Sequence, residues 1–465
     1  MHPDSGIFPH RRFGTAQLVL LALLVFLASQ SASAGGVPKQ TFPRLGGYQI
    51  GATPYDGYAD PEYHRQIARL DFAIIGSTLP LTNDTAASIR RINPDIVLLK
   101  YTSLMEVSTT AQGDYTVIKR NKASAERGPN STNAHDWWAR DANGNNVSNW
   151  PNNWTVNITP YVQPDANGDR FPQWTAKLHH QLWLRNDAWD GAFQDTVFWQ
   201  PRGGAANADL SGGRESDPNK IKAAFRQGNQ DYWNELKRLE PGKIITVNHD
   251  WYLSEPASAE GPLQLPEYHM QVHGGVLEIV MLSSDLLGKP RTDWKDTMRH
   301  YRRSMEYFKP PNMTLFIVKG EPDNWRFMRY SLATCLMQDG YFEYVPDDSY
   351  QYGTVEWFDE FDLAGTAGTD WLGRAIDPPQ DGPWQSGVWR RDFEGGVALV
   401  NPQGNGVKTI TVEDGFRRIA GKRETRVNNG QPARQITLQD GDGILLVREG
   451  TADFLAAPKP PVLGE

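Results

Sequence analysis

The sequence predicts an α/β protein, a (β/α)8 TIM barrel followed by a small antiparallel β-sandwich, and three observations predict it. From about residue 44, short apolar runs alternate with amphipathic stretches eight times, as in a parallel sheet covered by helices. The chain has 465 residues, more than one ordinary domain needs and enough for a barrel with a smaller module behind it. After about residue 383 the pattern changes to short alternating runs with Asp-Gly and Asn-Gly turns, as in antiparallel strands.

Ahead of the barrel, His10, Arg11 and Arg12 form a basic start, Leu18 to Ala28 an apolar core, and Ala32-Ser33-Ala34 a small-residue cleavage site. This is the order of a signal peptide, and so short an apolar core cannot span about 30 Å of hydrocarbon. Residues 1–34 are therefore expected to be removed near Ala34 and the mature chain secreted, extracellular or periplasmic.

Within the barrel, expected over residues 35–382, GGYQIGAT (46–53) reads as the first strand and LDFAIIG (70–76) as the second. DIVLLKYT (95–102) is the third, DGAFQD (190–195) the fourth, KIITVNHD (243–250) the fifth and GGVLEIVM (274–281) the sixth. MTLFIVKG (313–320) and YFEYV (341–345) complete the set, with helical spacing between successive runs. An open doubly wound sheet is the competing architecture, but GGYQIGAT lacks the G-x-G-x-x-G spacing of a dinucleotide fold. The stretch at about 105–170 is far longer than an ordinary βα connection and rich in tryptophan, so it is expected to build the rim of the active-site face. The sandwich is expected over 383–450, with a flexible tail at 451–465.

Composition narrows the partners. Lys and Arg number 47 against 55 Asp and Glu, and the cations are scattered, which argues against nucleic acid or an anionic membrane surface. No later stretch reaches membrane-spanning length, so stable membrane insertion is not expected. The single cysteine, Cys335, sits at helical spacing with Leu332 and Leu336 and reads as a buried apolar residue, leaving no internal disulfide. His179 and His180 are adjacent and point to different helix faces, neither belongs to a His-x-x-x-His pair, and no serine elbow occurs. No metal and no cofactor are expected.

Two apolar runs carry an acid read as a strand-end residue, Asp195 on the fourth strand and Glu278 on the sixth. A carboxylate in such a run is costly to bury unless paired or used. Strands two apart lie roughly 9–10 Å from each other, so inward side chains would bring the carboxyls to roughly 5–8 Å. That range covers both retaining and inverting glycoside hydrolysis.

The segments WDGAFQD (189–195), GGVLEIV (274–280) and EWFDEFDLAG (356–365), with the later GGVALVNPQG and DGDGILLV, resemble the hypothetical glycosyl hydrolase family 15, TIM-barrel glycosidase-like proteins. The resemblance implies a glycoside hydrolase acting on a poly- or oligosaccharide. By analogy with barrels using acids on the fourth and sixth strands, it implies Asp195 as nucleophile, Glu278 as acid/base, and retention. Substrate contacts are expected from Asp56, Lys100, Tyr101, Asn248, Asp250 and Lys319 at strand ends and from Trp137 and Trp138 in the long loop. Asp359 and Glu360 are candidates for the mouth after the last strand. The competing readings are a non-catalytic glycan-binding barrel and a hydrolase of an amide or ester bond in a cell-wall polymer, the latter resting on Asp250.

Overall fold

The structure is a computed structural model that describes residues 36–50, 57–76, 83–124, 136–249, 271–282, 293–346 and 352–450. Its strands in chain order are β1 (Gly46–Gln49), β2 (Phe72–Ile75), β3 (Val97–Ser103), β4 (Glu106–Ser108), β5 (Asn153–Thr155), β6 (Gly191–Val197), β7 (Ile244–His249) and β8 (Gly275–Leu282). There follow β9 (Leu315–Gly320), β10 (Tyr341–Pro346), β11 (Trp389–Phe393), β12 (Gly396–Asn401), β13 (Lys408–Thr411), β14 (Phe416–Arg418), β15 (Gln435–Leu438) and β16 (Asp442–Arg448). The α-helices are α1 (Pro61–Ile67), α2 (Asn83–Ile92), α3 (Asp114–Ser124), α4 (Phe171–His179), α5 (Pro218–Leu239), α6 (Trp294–Tyr307), α7 (Trp325–Leu336) and the short α8 (Asp359–Asp362).

Eight strands form one sheet in the order β1-β2-β3-β6-β7-β8-β9-β10, and every pairing in it is parallel. A bridge between Leu45 and Phe342 brings the two edges together, so the sheet is a nearly closed barrel. Alternation along each strand separates two cores. Tyr48, Phe72, Ile74, Val97, Leu99, Phe193, Ile244, Val276, Leu315, Ile317, Tyr341 and Val345 belong to one buried cluster inside the barrel. Their neighbours Ala73, Leu98, Ala192, Ile245, Leu277, Phe316 and Phe342 belong to the larger cluster under the helices. At Gly191 a Cβ would come within 1.8 Å of the Ile244 carbonyl oxygen, so only glycine lets β6 lie this close to β7.

The long stretch after β3 is not a bare loop. It holds α3 and the antiparallel pair β4–β5, and its tryptophans divide. Trp137 and Trp138 are buried, whereas Trp150 and Trp154 are 52% and 37% exposed.

Beyond the barrel, the four-stranded sheet β11-β12-β16-β14 and the pair β13–β15 are antiparallel and enclose their own apolar cluster around Val397, Leu399, Ile410, Ile436 and Leu446. This module is locked to the barrel. Arg391, 1% exposed, donates to the carbonyls of Leu336 and Gln338 at 3.0 and 2.7 Å. Asp359 accepts from the backbone of Lys422 and Arg423, and Glu360 accepts from Asn428. The acidic turn after β10 thus faces the second module, not the mouth, and supplies acceptors to the Lys422 and Arg423 N–H groups and the Asn428 amide.

Candidate functional site

The inward parity of the strands decides which strand-end residues meet. Tyr101 continues the inward series of Val97 and Leu99 on β3, Asp195 that of Phe193 on β6, and Asn248 that of Ile244 on β7. Glu278 continues that of Val276 on β8, and Lys319 that of Leu315 and Ile317 on β9. All five follow the buried apolar inward residues of their parallel strands in the C-terminal direction, toward the face where barrels of this type carry their sites.

Asn248, on the strand between the two acids, ties them together. Its Nδ2 donates to Asp195 Oδ1 at 3.0 Å and to Glu278 Oε2 at 2.8 Å. The two oxygens therefore lie no more than 5.8 Å apart, the sum of those two bonds. Tyr101 donates its hydroxyl to Asp195 Oδ2, and the Thr196 N–H donates to Asp195 Oδ1 at 2.8 Å. Tyr352 donates its hydroxyl to Glu278 Oε1 at 2.6 Å.

Both acids sit at irregularities of the ladder. The β6–β7 register shifts between Gln194 and Val197, and the β8–β9 register between Leu277 and Met281. Bulges re-aim side chains. Next to Asp195, Thr196 has φ 57°, a left-handed conformation that costs a residue with a Cβ about 1–3 kcal/mol. The strain turns the Thr196 N–H back onto the Asp195 carboxylate.

Burial raises the proton affinity of both acids above the ordinary range, and for Glu278 the charge of Asp195 raises it further. Three hydrogen-bond donors oppose the rise at Asp195, but only two at Glu278. The surroundings of the two acids are thus unequal, with more hydrogen-bond support for a negative charge at Asp195 than at Glu278.

The other expected contacts divide. Lys319 is buried at the mouth. Lys100 has the opposite parity to Tyr101 and turns to the helix side. There it donates to the carbonyls of Gly76 and Tyr101 at 3.2 and 3.0 Å, its ammonium lies 4.5 Å from the centre of the Trp183 ring, and burial lowers its pKa to about 7. Trp137 is packed against Phe171 and donates to the Gln163 carbonyl, while Trp138 donates to Ser124 Oγ and packs against Trp154. These three residues serve the scaffold because two-residue periodicity and local packing, not nearness to a strand end, set their direction. Asp56 and Asp250 lie outside the described residues. Among the described residues no group of three or more His, Cys, Asp and Glu could hold a metal ion, and no helix is long and apolar enough to cross a membrane.

Tyr352 and Thr196 were not anticipated from the sequence. Tyr352 belongs to no strand and carries no motif. Thr196 follows a singled-out acid, but its backbone conformation has no sequence signal.

Several solved structures are similar in fold. A protein named Amy13B from Eubacterium rectale shares 8% identity over 89% of this chain and 97% of its own, with a TM-score of 0.52. The glycoside hydrolase domain of PelA from Pseudomonas aeruginosa shares 15% identity over 66% of this chain and 97% of its own, with a TM-score of 0.39. The GH36 α-galactosidase AgaA from Geobacillus stearothermophilus shares 10% identity over 88% of this chain and 56% of its own, with a TM-score of 0.41. The first of these supports the barrel architecture. No curated protein matches the chain. Residues 90–397, well over half of the length, match the family described as hypothetical glycosyl hydrolase family 15, and the chain belongs to that family of glycoside hydrolases.

Proposed function

We propose that the chain is a secreted, retaining glycoside hydrolase that cleaves a poly- or oligosaccharide with Asp195 as nucleophile and Glu278 as acid/base. One observation carries this reading: a single amide, that of Asn248, bonds both carboxylates and holds their facing oxygens within 5.8 Å. Retaining enzymes separate the two carboxyls by about 5–5.5 Å, whereas inverting ones leave about 6.5–9.5 Å for a water. Glu278 gives its proton to the glycosidic oxygen as Asp195 attacks the anomeric carbon, forming a glycosyl ester and releasing the leaving sugar. Glu278, now ionised, takes a proton from water as that water attacks the ester, which restores both acids. Tyr101 and Asn248 keep the nucleophile oriented, and Lys319 offers a cation to sugar oxygens at the mouth.

The catalytic unit is read as residues 35–382, with the two antiparallel sheets of 383–450 as a small sandwich behind it. Export is supported by the order of basic, apolar and small residues before Ala34.

Incubation of the mature chain with a polysaccharide panel, with NMR of the anomeric configuration of the first product, tests the reading. A product that keeps the substrate's configuration, lost in Asp195→Asn and Glu278→Gln, is expected. Binding without turnover, turnover that survives both substitutions, or an inverted product would each defeat it.

A further inference from the structure

One carboxyl inside the barrel takes part in none of these steps. Glu343 is the inward residue of β10 between Tyr341 and Val345, and it is 6% exposed. Both of its oxygens accept from the Tyr48 N–H, at 2.9 and 2.8 Å. β10 and β1 meet at the barrel seam, where the Leu45–Phe342 bridge is supported by the Phe342 N–H donating to the Arg44 carbonyl at 2.9 Å. Past that bridge the Glu343 carboxyl supplies Tyr48 with the acceptor that a neighbouring strand would otherwise provide.

The residue fixed in this way reaches the site. The Tyr48 ring packs against those of Tyr352 and Tyr101, with centroids 5.0 and 6.4 Å away. These are the two phenols that donate to Glu278 and Asp195. The far side of the seam is polar as well. Gln49 is 1% exposed, its amide faces Glu343 without hydrogen-bond geometry, and neither amide atom has a partner. Both residues line a cavity of about 20 Å³ together with Glu356, enough for one water. Apolar residues would close such a seam at lower cost, since a buried unpaired amide costs about 1–3 kcal/mol.

We propose that Glu343 is a positioning residue of the catalytic centre, holding Tyr48 so that the Tyr101 and Tyr352 phenols stay on the two acids. The assignment rests on Asp195 and Glu278 being the reactive pair. The groups facing Glu343 are the Tyr48 N–H, the Gln49 amide, Tyr352 and the carboxyl of Glu278, with Glu356 across the cavity. Burial, reinforced by the charge of Glu278, pushes the Glu343 pKa up to about 8. At neutral pH it thus holds Tyr48 without adding a further negative charge beside the pair.

A substrate-free measurement tests this: carboxyl-carbon NMR titration of the full chain labelled with 13C-glutamate, the Glu278 signal being identified by its loss in Glu278→Gln. Glu343→Leu is expected to move the Glu278 titration upward by roughly one pH unit, as loss of the Tyr352 hydrogen bond to the carboxylate would. Glu343→Gln keeps an acceptor for Tyr48 and is expected to restore the wild-type titration to within about 0.3 unit. In a Tyr352→Phe background Glu343→Leu should add almost nothing. An unchanged Glu278 titration in folded Glu343→Leu, or a full shift that persists in Tyr352→Phe, overturns the proposal. If the leucine variant does not fold, Glu343→Asp, which draws the carboxyl back by one methylene, must produce the same upward shift, and no shift there overturns it equally. Failure of the glycosidase reading would show separately, as absence of turnover by the wild-type chain.

Discussion

The floor and the mouth of the barrel are built from the same strands and the same inward positions, yet they are held by opposite physics. On β6 the floor residue is Phe193 and the mouth residue two positions later is Asp195; on β8 the pair is Val276 and Glu278. Floor side chains are fully removed from water and stabilise the barrel by about 1.5–3 kcal/mol each. Mouth acids gain nothing from burial and must recover their desolvation cost through Tyr101, Thr196, Asn248 and Tyr352. The ladder is regular at the floor and shifts register at the mouth. The floor supplies stability that the mouth draws on to hold two acids in a setting where neither would remain by itself.

The sharpest way to break that comparison is to neutralise one mouth residue. Asp195→Asn should lower kcat by about 10⁴-fold, with Tm unchanged or raised because a buried charge is gone; turnover and thermal unfolding measured on one sample check both halves. Two positions away, Phe193→Ala should do the reverse. A floor cavity of that kind costs about 3–5 kcal/mol, read by urea unfolding, while the remaining folded fraction keeps its kcat.

Glu343 sharpens the contrast, being a carboxyl on the inner face. The folded chain holds its proton up to about 8, whereas an unfolded glutamate releases it near pH 4.3. Within that window rising pH favours the unfolded state. Wild type should therefore lose up to about 1.4 kcal/mol per pH unit relative to Glu343→Gln, levelling off above pH 8. Denaturant midpoints of the two chains at several pH values between 5 and 9 measure it, and parallel curves would refute it.

The smallest effects belong to single donors at the mouth. Tyr101→Phe removes a bond to the Asp195 carboxylate, which raises its proton affinity and should move the acidic limb of kcat/KM upward by roughly one pH unit. Tyr352→Phe should move the alkaline limb upward by a similar amount, because Glu278 then keeps its proton longer. If each substitution moves the opposite limb, the roles of the two acids are exchanged.

Much of this was legible in the residues. The eight strands were visible because a strand buried on both faces leaves an apolar run between helical stretches. Asp195 and Glu278 stood out as acids within such runs. The same signal marks Glu343 in YFEYV, where it identifies a seam residue, so an acid in a strand announces an energetic cost without saying what offsets it. Lys100 beside Tyr101 shows the matching limit. Both lie within β3, but only parity separates the side chain on the helix side from the one on Asp195. The polar stretch around Trp137 and Trp138 reads as an active-site rim, yet it forms α3 and the β4–β5 pair and packs them inward. Tyr352 left no trace, since no periodicity governs residues beyond the last strand.

By itself the sequence determined the alternation of strand and helix, the change to antiparallel strands near residue 383, and the presence of two acids within apolar strands, although Glu278 proves to lie in the middle of β8 and not at its end. Those are local properties, set by burial period and turn chemistry over a few residues. Only the tertiary structure decided that β7 runs between β6 and β8 so that Asn248 reaches both carboxyls, that bulges aim them, and that β1 meets β10 at a polar seam. Register and closure are settled by pairing between segments tens to hundreds of residues apart, and no local pattern encodes those contacts.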